Sequence, residues 1–379
     1  MGSCCKPEEY TRAQQHVAHK PGDAIHESVK EYYGKVLQGT KDLKTSACTA
    51  AGKPHPRLRS LMARLPEEVQ SRFYGCGVPV PLGIQGLRVL DLGSGSGRDC
   101  YLSAALVGAA GSVTGIDMTE EQLQIARKHA EAYCQQTLGY KASNMRFVKG
   151  HIELLDEAGI ASESMDLIIS NCVINLSPDK GRVIQQAYRV LAPGGEMYFS
   201  DVYCNRRVPK SAQKDEVMWG ECISGALYIN DFIAMARAVG FEYPVLLQKA
   251  PIAITDANMR ALLGNIEFFS ITYRLFKLPG LLEPQCEDYG QIAIYKGTIE
   301  GYEHSYALDD SHVYERDRPT LVCGNTAAVL GEGGLSHLAK HFQIVGDRSH
   351  HFGAFQVGSQ RQQIDVAING PSAGPCSSC

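Results

Sequence analysis

The sequence predicts an α/β protein built around a parallel β-sheet with helices on both faces. Two observations carry that prediction. From about residue 70, short apolar runs alternate with segments of helical period, the rhythm of βαβ units. The first such run, RVLDL (88–92), opens into a glycine-rich turn, GSGSG, that hands the chain to a helix. A length of 379 residues adds a prior of about two or three domains.

Taken in order, residues 1–60 are a polar helical lead, in which IHESVKEYYGKVL (25–37) sets Ile25, Val29, Tyr32 and Val36 on one face. KTSACTAAGKPHP follows as a loop, because Pro54 and Pro56 forbid a helix across it. After the glycine turn a helix runs through about CYLSAALVG, and SVTGID (112–117) is the second strand. Thr119 with Gln122 resembles a capping box opening TEEQLQIARKHAEAYCQQTLG, which Gly139 closes. RFVKG (146–150), DLIIS (166–170) and GEMYFSDVY (195–203) supply three more strands. Between the last two, DKGRVIQQAYRVLAPGG reads as a helix with a glycine stop. Strands and helices at this spacing imply a sheet covered on both sides. Beyond residue 210, EVMWGECISGALYINDFIAMARAVGF is helical with a break and stops at Gly240. FFSITYRLFKL (268–278) and GQIAIYKGTI (290–299) are predicted strands of a smaller, separate sheet. Residues beyond 300 form a further small domain, and the end, INGPSAGPCSSC, is predicted disordered.

A net charge of −4 offers no basic surplus for nucleic acid or a membrane surface. No apolar run is long enough to span a bilayer, and MGSCCKPEEY lacks the apolar stretch of a secretory signal. Lys6 stands where a myristoylation pattern wants Ser or Thr. The expectation is a cytoplasmic enzyme without membrane or nucleic-acid partners. In that compartment the 13 cysteines are mostly reduced, and read as metal binding, redox chemistry or core filling.

VLDLGSGSGRD is the most specific phrase in the chain. Glycines let the backbone approach a ligand closely at a helix start, a signal that a dinucleotide site shares. Asp117 ends the next strand, where it can accept hydrogen bonds from two ribose hydroxyls. Asp91 lies just before the turn, within reach of an ammonium group. The pair suits an amino-acid-bearing nucleoside better than a pyrophosphate. With DLGSGSG, GID and LAPGGEMYFSD, the chain resembles the class I S-adenosylmethionine-dependent methyltransferases. The resemblance implies a Rossmann-like, seven-stranded sheet with Gly93, Gly95 and Gly97 along the methionine moiety and Asp117 on the ribose. Ser94 and Met118 belong to the same cofactor set. HIE (151–153) matches the adenine position, with Ile152 packing and Glu153 bonding, and Asn171 is a further cofactor contact.

The thiols divide by context. Cys134 shares a helical face with Leu123, Ala126 and Ala130 and reads as core, as does Cys100 after the glycine turn. Cys204, Cys286 and Cys323 show no partner. The terminal CSSC lacks the second pair that zinc needs. Cys48, Cys76, Cys172 and Cys222 remain, and Cys172 follows the fourth strand, beyond whose carboxyl end such sheets bind ligands. Taken singly, each suits packing, redox chemistry, metal binding or catalysis.

YGCG, GSGSGRD, SNCVINLSPDKGRV, FSDVY and WGECISGALY together resemble the arsenite methyltransferases, a likeness covering most of residues 25–300. The resemblance implies that Cys172 and Cys222 ligate trivalent arsenic, with Cys76 as third ligand, and that Cys48 pairs with Cys76 in redox steps. Soft arsenic prefers thiolate to oxygen or nitrogen. Glutathione or thioredoxin would be the thiol reductant. The expected organisation is an N-terminal segment with the redox-cysteine loop (1–60), an S-adenosylmethionine-binding methyltransferase domain (61–210) and a small α+β arsenic-binding domain (211–300). A C-terminal domain (301–358) and a cysteine-containing tail (359–379) complete it, in a monomer that detoxifies arsenic. Two alternatives stand beside it: a small-molecule C- or O-methyltransferase, and a thiol-rich metalloid-binding protein without turnover.

Overall fold

The computed structural model describes His26, Val29 and residues 53–356 other than Tyr74 and Cys76. The predicted helix 25–37, apart from His26 and Val29, and the tail 359–379 therefore lie outside the described residues. Five strands stand where the sequence places them: β1 (Arg88–Leu92), β2 (Ser112–Asp117), β3 (Met145–Lys149), β4 (Met165–Asn171) and β5 (Leu191–Cys204). They pair in parallel in the order β3-β2-β1-β4-β5. Four residues of β1 and six of β4 are buried, as strands with helices on both faces require.

Past residue 210 the chain breaks as predicted. A short helix, Glu216–Gly220, ends at a turn holding Cys222; β6 (Leu227–Tyr228) then pairs with the end of β5. The next helix, Ile229–Val239, stops at Gly240, whose φ of 119° favours glycine. β7 (Val245–Ile252) and β8 (Phe268–Phe276) complete this sheet in the order β5-β8-β7. Here the structure corrects the reading of FFSITYRLFKL. It is no part of a separate sheet, because β8 runs antiparallel between β5 and β7, with nine register pairs from Glu196↔Phe276 to Cys204↔Phe268. Its near-continuous burial is that of a central strand. VLLQKAPI, which was not read as a strand, forms the edge, where Pro251 is tolerated.

The C-terminal part contains β9 (Glu287–Asp288), β10 (Ile292–Tyr295), β11 (Ser305–Ala307), β12 (Val313–Glu315), β13 (Pro319–Leu321), β14 (Phe342–Val345) and β15 (Gly353–Ala354). β10 lies between β13 and β14 in a separate antiparallel sheet, so the expected division at residue 300 cuts through one sheet. Only tertiary pairing reveals this, since β10 and β14 are far apart in sequence. Among the described residues no helix is long and apolar enough to cross a membrane.

A buried ion pair ties the main sheet to the C-terminal part. Arg274 of β8 meets Glu196 of β5 at 2.8 Å, with side chains 1% and 0% exposed. From the C-terminal part, His337 stands 2.8 Å from Glu196, and Arg274 donates to the Tyr306 hydroxyl and the Leu308 carbonyl, each at 3.0 Å. Burial alone would raise the Glu196 carboxyl, but Arg274 and His337 outweigh it and hold the group at about 2. Removing one partner leaves an uncompensated buried charge. Arg274→Met should therefore cost about 3–5 kcal/mol in denaturant unfolding at neutral pH. Part of the wild type's stability should vanish as pH falls from about 4.5 towards about 2, a loss that is smaller in the variant, where only His337 remains on Glu196.

Candidate active site

The glycine turn is built for close approach. Gly93, Gly95 and Gly97 have φ of 70°, 51° and 93°. A Cβ on Gly93 would lie 2.4 Å from the Val173 side chain. The Gly95 amide donates to Asp117 Oδ2 at 2.9 Å, and the Thr119 amide to Asp117 Oδ1 at 2.8 Å. Thr119 stands at the start of its helix as predicted, yet its hydroxyl does not cap it. The hydroxyl turns to the Asp117 carboxylate, whose buried charge is the stronger acceptor.

These groups wall a cleft with about 970 Å³ of free space, open solvent at its mouth included. Every expected cofactor residue lines it except Gly97, which serves as N-cap of the helix Arg98–Val107. At one end Asp91, Asp99 and Asp117 converge. Burial, then the charges of Asp99 and Asp117, push the Asp91 carboxyl well up; burial raises Asp117 too. Arg98 pairs with Asp99 at 2.8 Å, over the ring of Phe73, and its charge also offsets part of the rise at Asp91. Asn171 donates to Asp99 Oδ2 and to the Gly77 carbonyl, both at 2.9 Å. Cys100, read as packing, also donates its S–H to Asp91 Oδ2 at 3.2 Å.

At the other end Glu153 accepts from Ser177 Oγ and, at 3.3 Å, pairs with His26 Nε2. Ile152 and Met118 supply apolar wall between the ends. The Ser94 hydroxyl and Gln122 Oε1 are buried at the cleft without a partner among the described residues. This donor and acceptor set fits S-adenosylmethionine: surplus carboxylate faces a cationic amino-acid end, and acids remain for a ribose and an adenine. His26 was missed, because nothing local marks a histidine 127 residues from its partner.

Cys172 and Cys222 come together beside this cleft. β4 ends at Asn171, and Cys172 turns with φ of 56° while its amide donates to the Ser200 carbonyl at 2.8 Å. Cys222 has φ of 62°, and its Sγ lies 3.4 Å from the Cys172 carbonyl oxygen. Among the described non-glycine residues only Glu163 and Asp317 share that conformation, which costs roughly 1–2 kcal/mol per residue. Both cysteines are buried in an apolar cluster with Leu176, Val202, Met218 and Ile223. Cys172 is disulfide-bonded, whereas Cys222 takes part in no disulfide. Cys48 and Cys76 lie outside the described residues.

Asp201 and Lys180 were missed, although FSDVY and SPDKG were in view. Asp201 accepts from the amides of Asn175 (3.1 Å) and Val202 (2.8 Å), and burial raises its carboxyl to about 6. Lys180 donates to the Ser177 carbonyl at 2.8 Å and faces the Trp219 ring. Burial brings it down to about 8 against the opposing charges of Asp201 and Cys222.

Comparison with known proteins agrees with this geometry. A methyltransferase-domain model matches residues 85–250. The arsenite methyltransferase of Aquipseudomonas alcaligenes is 52% identical over 88% of this chain and 94% of its own. The human arsenite methyltransferase is 42% identical over 84% of each chain. The chain belongs to the arsenite methyltransferases. A crystal structure of an arsenic(III) S-adenosylmethionine methyltransferase from Chlamydomonas reinhardtii is 57% identical and superposes with a TM-score of 0.77. That match covers 80% of this chain and all of the other. The Rossmann-like class I methyltransferase sheet expected from the sequence is thus borne out, as is the family.

Two outcomes test this arsenite methyltransferase site. Gly93→Ala drives a methyl into Val173 at a left-handed position, and should weaken S-adenosylmethionine binding at least tenfold in calorimetric titration. Folding raises Asp201 from 3.8 to about 6, so the folded chain holds a proton that the unfolded chain has released. Stability from this group falls as pH rises from about 4 to about 6, and Asp201→Asn should flatten that slope in denaturant midpoints.

Proposed function

We propose that this chain methylates trivalent arsenic held by Cys172, Cys222 and Cys76, with S-adenosylmethionine as donor, and detoxifies arsenic as a cytoplasmic monomer. The observation that carries the reading is the placement of Cys172. It lines the donor cleft, and the Cys222 sulfur rests against its carbonyl. A metalloid on these thiols would stand at the wall of the donor cleft. Membership of the arsenite methyltransferases supports the same assignment.

When bound, S-adenosylmethionine supplies an electrophilic methyl carbon on a positively charged sulfur. Asp91 would face its ammonium group, Asp117 its ribose and Glu153 its adenine. Asn171 acts by holding Asp99 in place. The cysteine thiols lose their protons as they coordinate arsenic. Three thiolates leave arsenic pyramidal, with a lone pair on its open side. That lone pair is the nucleophile, so no proton leaves the attacking atom and no general base is required. The task left to the chain is alignment, which the two left-handed turns and the apolar packing around both sulfurs serve.

Methyl transfer carries arsenic formally from trivalent to pentavalent. Cys48 and Cys76 return two electrons by closing a disulfide, which glutathione or thioredoxin reopens by exchange. The disulfide at Cys172 is consistent with an oxidised form that the same exchange must open before arsenic binds.

Purified protein incubated with arsenite, S-adenosylmethionine and glutathione should yield methylated arsenicals together with S-adenosylhomocysteine. Arsenite returned unmethylated, by protein that binds both ligands, would point to a metalloid buffer. Cys172→Ser should abolish methylation and leave S-adenosylmethionine affinity within about threefold; joint loss of donor binding and folding would make Cys172 a packing residue. Cys48→Ser should impair methylation of arsenite more than that of already methylated, thiol-bound arsenic. Equal loss on both substrates would remove its redox role.

A further inference from the structure

A second cavity lies back to back with the donor cleft. It has about 900 Å³ of free space, open solvent included, and shares no lining residue with that cleft. Such a size falls within the range of small-molecule sites, about 300–1,000 Å³. Its floor is one face of β5 and β8, where the register pairs Tyr198 with Arg274 and Ser200 with Thr272. Its walls are the start of the helix Pro56–Met62, residues 77–82 and the rings of Tyr302 and Tyr306. Two carbonyls join it to the methyl-transfer site. The Ser200 carbonyl takes the Cys172 amide at 2.8 Å, and the Gly77 carbonyl takes the Asn171 side chain at 2.9 Å. Gly77 and Val78 are also the residues that follow Cys76 in the chain. Further along the same face of β5, Val202 packs in the apolar cluster with Cys172 and Cys222.

The lining is rich in hydrogen-bond donors. The Arg57 amide donates to His55 Nδ1 at 3.2 Å, so the neutral ring carries its proton on Nε2. The Ser200 and Thr272 hydroxyls, 2.7 Å apart, use one of their two protons on each other and keep the second to give. Tyr306 accepts from Arg274 at 3.0 Å and has its own proton to give. Tyr198, Tyr302 and, at the mouth, the exposed Lys53 add further donors. Among the described residues no Asp or Glu lines the cavity. Arg274 is already paired with Glu196, so Lys53 supplies the positive charge at the mouth. An occupant that suits this lining brings acceptors and negative charge, which a carboxylate offers together.

We propose that this cavity seats a small thiol bearing carboxylates, the class to which glutathione belongs, and that the reductant reaches the cysteines from here. The carboxylates match the donors and Lys53. The thiol matches what lies across the wall: Cys172, whose amide Ser200 holds, is disulfide-bonded. Opening that bond takes two molecules of the reductant. The first attacks as a thiolate, breaks the protein S–S bond and forms a mixed disulfide, while the released protein sulfur takes up its proton. The second displaces the remaining protein sulfur in the same way, leaving two protein thiols and the reductant oxidised to its disulfide. Two electrons pass to the protein. Since the cavities share no residue, reductant and S-adenosylmethionine bind at the same time. The reduction step rests on the proposed function, but binding of the thiol in the cavity does not.

The test uses the full chain and S-methylglutathione, which keeps both carboxylates but has no thiol to exchange. Calorimetric titration should show one saturable site whose affinity is unchanged by saturating S-adenosylmethionine. Esterifying both carboxylates of the probe should weaken binding about tenfold. Lys53→Glu reverses the charge at the mouth and should weaken it about fivefold at low salt. Ala307→Trp, at an exposed position on the rim, should fill the entrance and abolish binding. No saturable binding, by a chain that still binds S-adenosylmethionine, overturns the site. So does displacement of the probe by S-adenosylmethionine, equal binding of the diester, or binding that both variants leave intact. Because the probe is inert and no methyl transfer is measured, such a failure leaves the methylation result untouched.

Discussion

The turn at the carboxyl end of β4 is the constraint on which the rest of the site depends. Asn171, Cys172 and Val173 face three different neighbours within three residues. The Asn171 amide holds Asp99, the Cys172 carbonyl receives the Cys222 sulfur, and Val173 fills the space beside Gly93 that a Cβ would need. The chain meets all three demands because Cys172 adopts a left-handed conformation that few side chains favour.

Two environments of opposite character meet at that turn. The donor cleft gathers carboxylates that repel one another, with Arg98 paired to Asp99, so it favours a cation. The packing around Cys172 and Cys222 is largely apolar, which suits a soft metalloid bound through sulfur. Methyl transfer from a sulfonium to arsenic needs both surroundings side by side. The β4 turn lets one residue border each.

The C-terminal part is joined to the methyltransferase sheet through buried charge rather than apolar contact alone. Arg274 and Glu196 lie on adjacent strands of the main sheet, while His337, Tyr306 and Leu308 reach them from beyond.

The sequence by itself determined the α/β class, the places of the first five strands and the glycine turn. These follow from local rules: period, glycine conformation and the chemistry of motif residues. Tertiary structure alone decided what depends on remote partners. It placed β8 inside the main sheet, paired β10 with β14 across residue 300, and set His26 on Glu153. It turned the Thr119 hydroxyl away from its helix towards Asp117, and buried Asp201 until its carboxyl rose to about 6. Burial and non-local contact set each of these outcomes, and neither is written in a residue's immediate neighbours.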